Sequence, residues 1–487
     1  MTLVIALLPL VPLLAAGAIL FVPSEKRELL RRIALTSCGL CFAITLFFLL
    51  RFQPGRPGFQ FLVRCEWIPE LGIAYQAGLD GINMVLCLLH ALVSLAGAFV
   101  SCSVKERLKE YLFFYLLLVA SLYGVFTALD LFFIYLFYEM TLIPLYPMIG
   151  IWGSKNKEYG AMKLTIYITT GAVLALFGLL MLYRQAPAIG FDFIRLAEAA
   201  KAAPFPGAFQ KALVPFFLIG FGVIASLWPL HSWSPIGYAT APTSVSMLHA
   251  GVLKKMGPYL MIRLALTLMP AGIEQWSPWL AGLAGIGILY AAWAAIWQKD
   301  LKFMVGFSSV SHMGYVLLGL AAMNPTALSG AVLLMFSHGV MAACLFALIG
   351  YLYGETHVRS VDDFGGLAKK VPFIAVCFVM ASLASAGVPG FSNFASELLI
   401  FIGAWRRYAP GVVIAVCGIF FTAVYLFRAV QKVCYGPVNP KWAALQEPAG
   451  FAGKFPFVLL LGALLLFGFW PQGLLQMISP AVGTLLP

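Results

Sequence analysis

The chain has 487 residues, of which 62% are hydrophobic and 10% charged, and its mean hydropathy is +0.94. Soluble domains carry about 25% charged residues, so this composition excludes a soluble enzyme and indicates a polytopic membrane protein. Its apolar runs are long and do not alternate, which excludes a β-barrel, and the net charge of +12 points to basic cytoplasmic loops rather than to nucleic acid.

The expected fold is all-α, with about fourteen transmembrane windows of the length that crosses a hydrocarbon core. They run at 2–22, 33–50, 82–100, 112–129, 131–152, 161–183, 213–230, 244–268, 278–297, 303–322, 327–353, 372–405, 410–428 and 455–470. The first has no basic residue before it and is longer than a signal-peptide core, so it reads as a retained span. In the second, Cys38 and Cys41 have redox spacing, but no polar ligand lies nearby and two packed thiols are the better reading.

The fifth window, "LFFIYLFYEMTLIPLYPMIGIW", holds a single charge, Glu139, near mid-depth. Such a group costs several kcal/mol on insertion scales, about 2.5–3.5, and marks a functional site by default. Residues 191–203, "FDFIRLAEAAKAA", are amphipathic and read either as a helix along the outer interface or as an ordinary loop helix. The seventh and eighth windows meet at the Pro/Gly-rich "LWPLHSWSPIGYATAPTS", and "SAGVPGFSN" (Ser385 to Asn393) interrupts the twelfth. Broken helices at corresponding positions point to two inverted repeats around a transport site. The expected division is 1–110 for helices 1–3, 111–268 for a first repeat, 278–430 for a second, and 431–487 for helix 14.

Lys and Arg orient the chain. Loops after odd-numbered windows carry about nineteen of them, including Lys26, Lys105, Lys155, Lys157, Lys299 and Lys432, against about nine after even windows. Odd loops are therefore expected in the cytoplasm, with both termini outside. Within the membrane the remaining candidates are His249, Lys254, Lys255, His312, His338 and Glu397. For Glu139, Lys255 and Glu397 the two readings are proton handling and a structural ion pair; for His312 and His338 they are proton handling and helix–helix hydrogen bonding. Lys254 and Lys255 are consecutive, so on an α-helix they lie about 100° apart and one pathway suits only one of them. No phosphate loop, dinucleotide fingerprint, metal-spaced cluster or haem motif is present, so no redox chemistry is expected in this chain.

Several stretches together resemble one family. "FYEMTLIPLYPMIGIWG", "PLHSW" followed by "APTSVSMLHAGVLKKMGPYLMIR", "DLKFMVGFSSVSHMGYVLLGL", "FSHGVMAACLFALIGYLY" and "GVPGFSNFASELLIFIGAW" are similar to the M-type antiporter-like subunits of respiratory complex I, the NADH–quinone oxidoreductase. The resemblance runs from about residue 75 to 430 and implies fourteen helices, outward termini and broken seventh and twelfth helices. It matches the helix-5 glutamate to Glu139, the helix-8 lysine to Lys255, the helix-12 glutamate to Glu397 and the axial histidines to His312 and His338. Asp130 matches an acidic residue before helix 5 that serves subunit coupling, and His249 is closer to the L-type sister subunit. Two positions depart: Ile224 stands where the family has a helix-7 lysine, and Ile236 where it has an acidic residue.

What the resemblance implies is a proton-translocating subunit in a bacterial inner membrane, beside L-type and N-type sister subunits and lipid. FMN, Fe–S clusters and quinone would belong to other subunits, with no cofactor and no nucleic acid bound here. The rival readings are a subunit of a membrane-bound hydrogenase or formate hydrogenlyase, the D-type subunit of a multi-subunit Na⁺/H⁺ antiporter, and a structural subunit that does not pump. Because Ile224 supplies no cation, Lys254 or Lys255 is expected to turn toward helix 5 and serve Glu139, the other staying on the central axis.

Overall fold

A backbone in hydrocarbon has to satisfy its own N–H and C=O groups, and a long apolar run does so as a helix. The computed structural model describes residues 2–442 and 444–486 and is built almost entirely in this way. It begins with α1 (Leu7–Leu20) and α2 (Arg27–Arg51). An antiparallel hairpin, β1 (Gln60–Ile68) and β2 (Ile73–Leu79), then interrupts the helical pattern. Beyond it come α3 (Gly81–Ser101) and α4 (Leu108–Thr127). The fifth window is two helices that meet at Thr141, α5 (Leu131–Met140) and α6 (Leu142–Trp152). Next are α7 (Lys157–Gln185), the short α8 (Phe193–Ala202) and α9 (Gly207–Ala225).

The second half continues with α10 (Trp233–Thr240), α11 (Thr243–Gly251), α12 (Met256–Leu260), α13 (Pro270–Ile296), α14 (Leu301–Ala321) and α15 (Pro325–Thr356). It closes with α16 (Leu367–Lys370), α17 (Pro372–Ser385), α18 (Ser392–Cys434), α19 (Gly450–Phe469) and α20 (Gln472–Gly483). The amphipathic stretch at 191–203 does form a helix, α8, whose Phe193, Leu196 and Ala200 are buried.

Among the described residues, eleven helices are long and apolar enough to cross a membrane, and two apolar helices are shorter, Val4–Leu20 and Pro372–Ser385. Of the three windows missing from the eleven, the first is the shorter Val4–Leu20, and the eighth and twelfth are lost where the backbone is broken. The eighth window is divided into α11, a 3₁₀ turn at Leu253–Lys255, α12 and a π-helical turn at Met261–Leu266. The twelfth divides into α17 and the start of α18, which runs on through the thirteenth across a kink at Tyr408. Pro410 lies just beyond that kink; it has no N–H to donate and its ring crowds the preceding turn.

The expected breaks in helices 7 and 12 are both present. Ser226 ends α9 in the left-handed conformation, and Trp233 Nε1 returns from the start of α10 to donate to the Val223 carbonyl at 2.9 Å. Between α17 and α18 the chain turns through Gly387 and Gly390, both at positive φ. Gly387 has a second reason to lack a side chain, because a Cβ there would lie 2.6 Å from Glu397 Oε2. Around these breaks, α3, α14 and α15 form the interior, and the most apolar stretch of α15 is completely enclosed.

Candidate functional site

Lys255 ends the 3₁₀ turn that follows α11, and its side chain is completely buried. Its ammonium donates to the Ala250 carbonyl, which the broken helix has left free, and to His338 Nδ1 at 2.8 Å. Small residues set this contact. In lipid, helices gain little from hydrophobic burial and associate through close packing, which favours glycine at the crossing. A Cβ on Gly339 would lie 2.5 Å from the Gly251 carbonyl, and one on Gly251 would lie 3.1 Å from the Gly339 carbonyl. The two backbones therefore touch one residue from His338.

This crossing makes a prediction. Gly339→Ala forces backbone apart and is expected to destabilise by about 1–3 kcal/mol, the usual range for overpacking. Gly354→Ala on the same helix meets nothing within 4 Å and should be neutral. Thermal unfolding midpoints of the two purified variants check this; equal midpoints would remove the argument for the crossing.

From His338 the polar groups continue. Its ring centroid lies 5.2 Å from that of His312 on α14. His312 Nδ1 is 2.9 Å from the Ser308 carbonyl, and its Nε2 is 3.1 Å from the Ser385 carbonyl and 3.8 Å from Glu397 Oε1. Lys255, His338, His312 and Glu397 thus form one buried line that reaches the break between α17 and α18. His338 Nε2 has no hydrogen-bond partner among the described residues, nor does either amide atom of the buried Asn393, one turn before Glu397.

The other candidates lie off this line. Lys254 donates to Ser309 Oγ at 3.3 Å and sits 5.4 Å over the Tyr238 ring. His249 is stacked on Trp233 and meets Tyr238 edge-on, with neither ring nitrogen bonded among the described residues. Asp130 caps α5 through Phe132 and Phe133 and also accepts from the Ala74 N–H of β2 at 3.1 Å. Both of its oxygens are therefore committed to the backbone.

Glu139 stands apart. It is half-buried, it accepts from Tyr135 Oη at 2.7 Å, and it forms no ion pair among the described residues. The expectation that Lys254 or Lys255 turns to serve it is not met. Both lysines sit in a 3₁₀ turn, where residues step about 120° rather than 100°, and both ammoniums find partners on α14 and α15. Ile224 is completely buried and lies against Gly257 of α12.

Several buried polar groups were not among the sequence candidates. Arg263, on the π-helical turn, pairs with Asp80 at 2.5 Å and lies 5.1 Å over both Phe59 and Tyr259. Lys302, in the first turn of α14, donates to the Ala241 carbonyl at 2.7 Å. His90 on α3 meets the Val119 carbonyl at 3.0 Å. The signal was present for Arg263 and His90, which lie within apolar windows; Lys302 lies at the edge of one beside Lys299 and Asp300, and Asp80 lies two residues before another.

Residues 128–422 match the family model described as NADH:quinone oxidoreductase/Mrp antiporter, TM. The chain is 33% identical over 489 residues to the NADH-quinone oxidoreductase subunit M of Rickettsia conorii, covering 98% of this chain and 97% of the relative. It is also 33% identical over 486 residues to the protein of the same name from Rhodobacter capsulatus, covering 97% and 94%. Its structure is similar to a chain of respiratory complex I from Thermus thermophilus with bound NADH, with TM-score 0.89 and 27% identity over 100% of this chain and 99% of that one. A chain of the Mrp complex from Dietzia sp. shares the fold, with TM-score 0.89, 21% identity and coverage of 100% and 98%.

Proposed function

The chain belongs to the NADH:quinone oxidoreductase/Mrp antiporter membrane family, and from that membership we propose that it is the proton-translocating, antiporter-like M-type subunit of an NADH–quinone oxidoreductase. The observation that carries the reading is the buried line from Lys255 through His338 and His312 to Glu397, beside one broken helix and ending at another. Charged and titratable groups at membrane depth mark ion pathways, and this line holds four.

In this reading Lys255 is the central carrier and the two histidines pass protons toward Glu397. Glu139, half-buried on the flank of the chain, takes its charge state from a neighbouring subunit and so couples the two. Lys254 and His249 shape the electrostatics beside the line. The L-type and N-type subunits would be the membrane-arm neighbours, and FMN, Fe–S clusters and quinone would act in other subunits of the complex. The two repeats, at 111–268 and 278–430, would each contribute one broken helix. The basic loops, including Lys155 and Lys157, would face the cytoplasm of a bacterium and the termini the outside.

The test is made in vesicles that contain the assembled complex. NADH–quinone turnover should acidify the side opposite the Lys155–Lys157 loop. Glu139→Gln and Glu397→Gln should each lower the protons moved per quinone reduced, with assembly unchanged. Normal stoichiometry in both variants would overturn the assigned roles, and reversed polarity would overturn the sidedness.

A further inference from the structure

His312 differs from the rest of the line in how its protons are held. Both of its ring nitrogens face carbonyl oxygens, Nδ1 that of Ser308 at 2.9 Å and Nε2 that of Ser385 at 3.1 Å. A carbonyl oxygen can only accept. A neutral imidazole carries one N–H, so its second nitrogen would present a lone pair to one of these oxygens at about 3 Å, and the two would repel. Turning the ring over puts carbon at both places and loses both bonds. Only the imidazolium, a donor at each nitrogen, satisfies the two contacts together.

Two further features favour a cation here. Ser385 is the last residue of α17, so its carbonyl is one of those a helix end leaves free, at the negative end of the helix dipole. Glu397 Oε1 approaches the same Nε2 at 3.8 Å from α18. His338 faces His312 from α15 and is the opposite case. Its Nδ1 accepts from the Lys255 ammonium at 2.8 Å, which leaves its one proton on Nε2 and the ring neutral. Of the other groups acting on His312, Tyr315 on its own helix, 5.8 Å away between centroids, adds no charge. The Lys255 and Lys254 ammoniums oppose a second cation, so the imidazolium depends on the Glu397 carboxylate to offset them.

We infer that His312 rests as an imidazolium, pinned between the Ser308 and Ser385 carbonyls and paired with ionised Glu397, so that this end of the line stores a proton. The inference deepens the translocation reading and rests on it only in supposing that the stored proton moves; the donor count stands without it. In the transfer, the Nε2 proton passes to Glu397 Oε1, and imidazolium and carboxylate become imidazole and carboxylic acid. The bare Nε2 then faces the Ser385 oxygen, and that repulsion favours reloading at Nε2, since Nδ1 keeps its proton on Ser308. Reloading would come from the His338 side: as its Nε2 proton leaves for His312, the Lys255 ammonium passes a proton to His338 Nδ1, so His338 stays neutral and Lys255 becomes a neutral amine.

The experiment is solid-state ¹⁵N spectroscopy of the whole complex in lipid at neutral pH, with histidine labelled and the His312→Gln spectrum subtracted. The expected difference is two N–H resonances and no bare-nitrogen resonance. A bare nitrogen in the difference overturns the inference. If His312→Gln does not assemble, His312→Lys serves the same subtraction, because its ammonium supplies donors to both carbonyls and keeps the charge. Proton pumping measured on the same wild-type preparation separates the two claims. A complex that turns over without pumping would sink the translocation reading, whereas the spectrum alone decides the state of His312.

Discussion

Lys255→Met is expected to reduce coupled NADH–quinone turnover and proton pumping by roughly 10²-fold or more, within the range that a positioned proton carrier contributes. The size follows from position. Lys255 begins the line, it bonds directly to His338, and no other described group replaces its ammonium there. Lys254→Met is the matched control, because Lys254 bonds to Ser309 and covers Tyr238 without touching the line. It should leave most of the turnover intact. Methionine keeps the length and apolar bulk of lysine, so both variants should assemble, and subunit content should be measured alongside activity. Equal losses in the two would show that the break in helix 8 does not separate their roles.

The second large effect is on stability. Asp80→Ala should destabilise the protein by about 3–5 kcal/mol, because it leaves the Arg263 guanidinium buried without its counter-charge. The loss has a second source, since Asp80 also caps α3 by accepting from the Ile82 and Asn83 N–H groups, and removing a cap costs about 1 kcal/mol. The thermal unfolding midpoint and the yield of assembled complex measure this. In the double variant Asp80→Ala, Arg263→Met no charge is stranded, and stability should partly return. If the double variant is no better than Asp80→Ala alone, the cap and not the ion pair accounts for the loss.

The sequence made the broken helices and most of the line readable for one reason. In an apolar window, each proline, glycine or ionisable residue is an exception that needs a cause. That logic found Lys255, His312, His338 and Glu397, and it placed both breaks at their Pro/Gly clusters. It failed where the answer depended on geometry that composition does not carry. The directions of Lys254 and Lys255 depend on a 3₁₀ turn, and nothing in "HAGVLKKMG" distinguishes that turn from continuous helix. The hairpin at 60–79 has no sustained alternation, and its register shifts twice. Asp80 and Arg263 lie 183 residues apart, so each was visible as a lone charge and their pairing was not.

Glu139 has one further consequence. Its only described partner is a tyrosine hydroxyl, and it is open at the flank of the chain. A lone copy in the bilayer would present a carboxylate to lipid tails, a penalty of a few kcal/mol. A neighbour that brings a donor or a cation to that flank removes the penalty. If Glu139 has the coupling role proposed for it, the same residue also marks the chain without a neighbour: an unassembled copy is the less stable one. The membrane itself discriminates between the two, before any proton has moved.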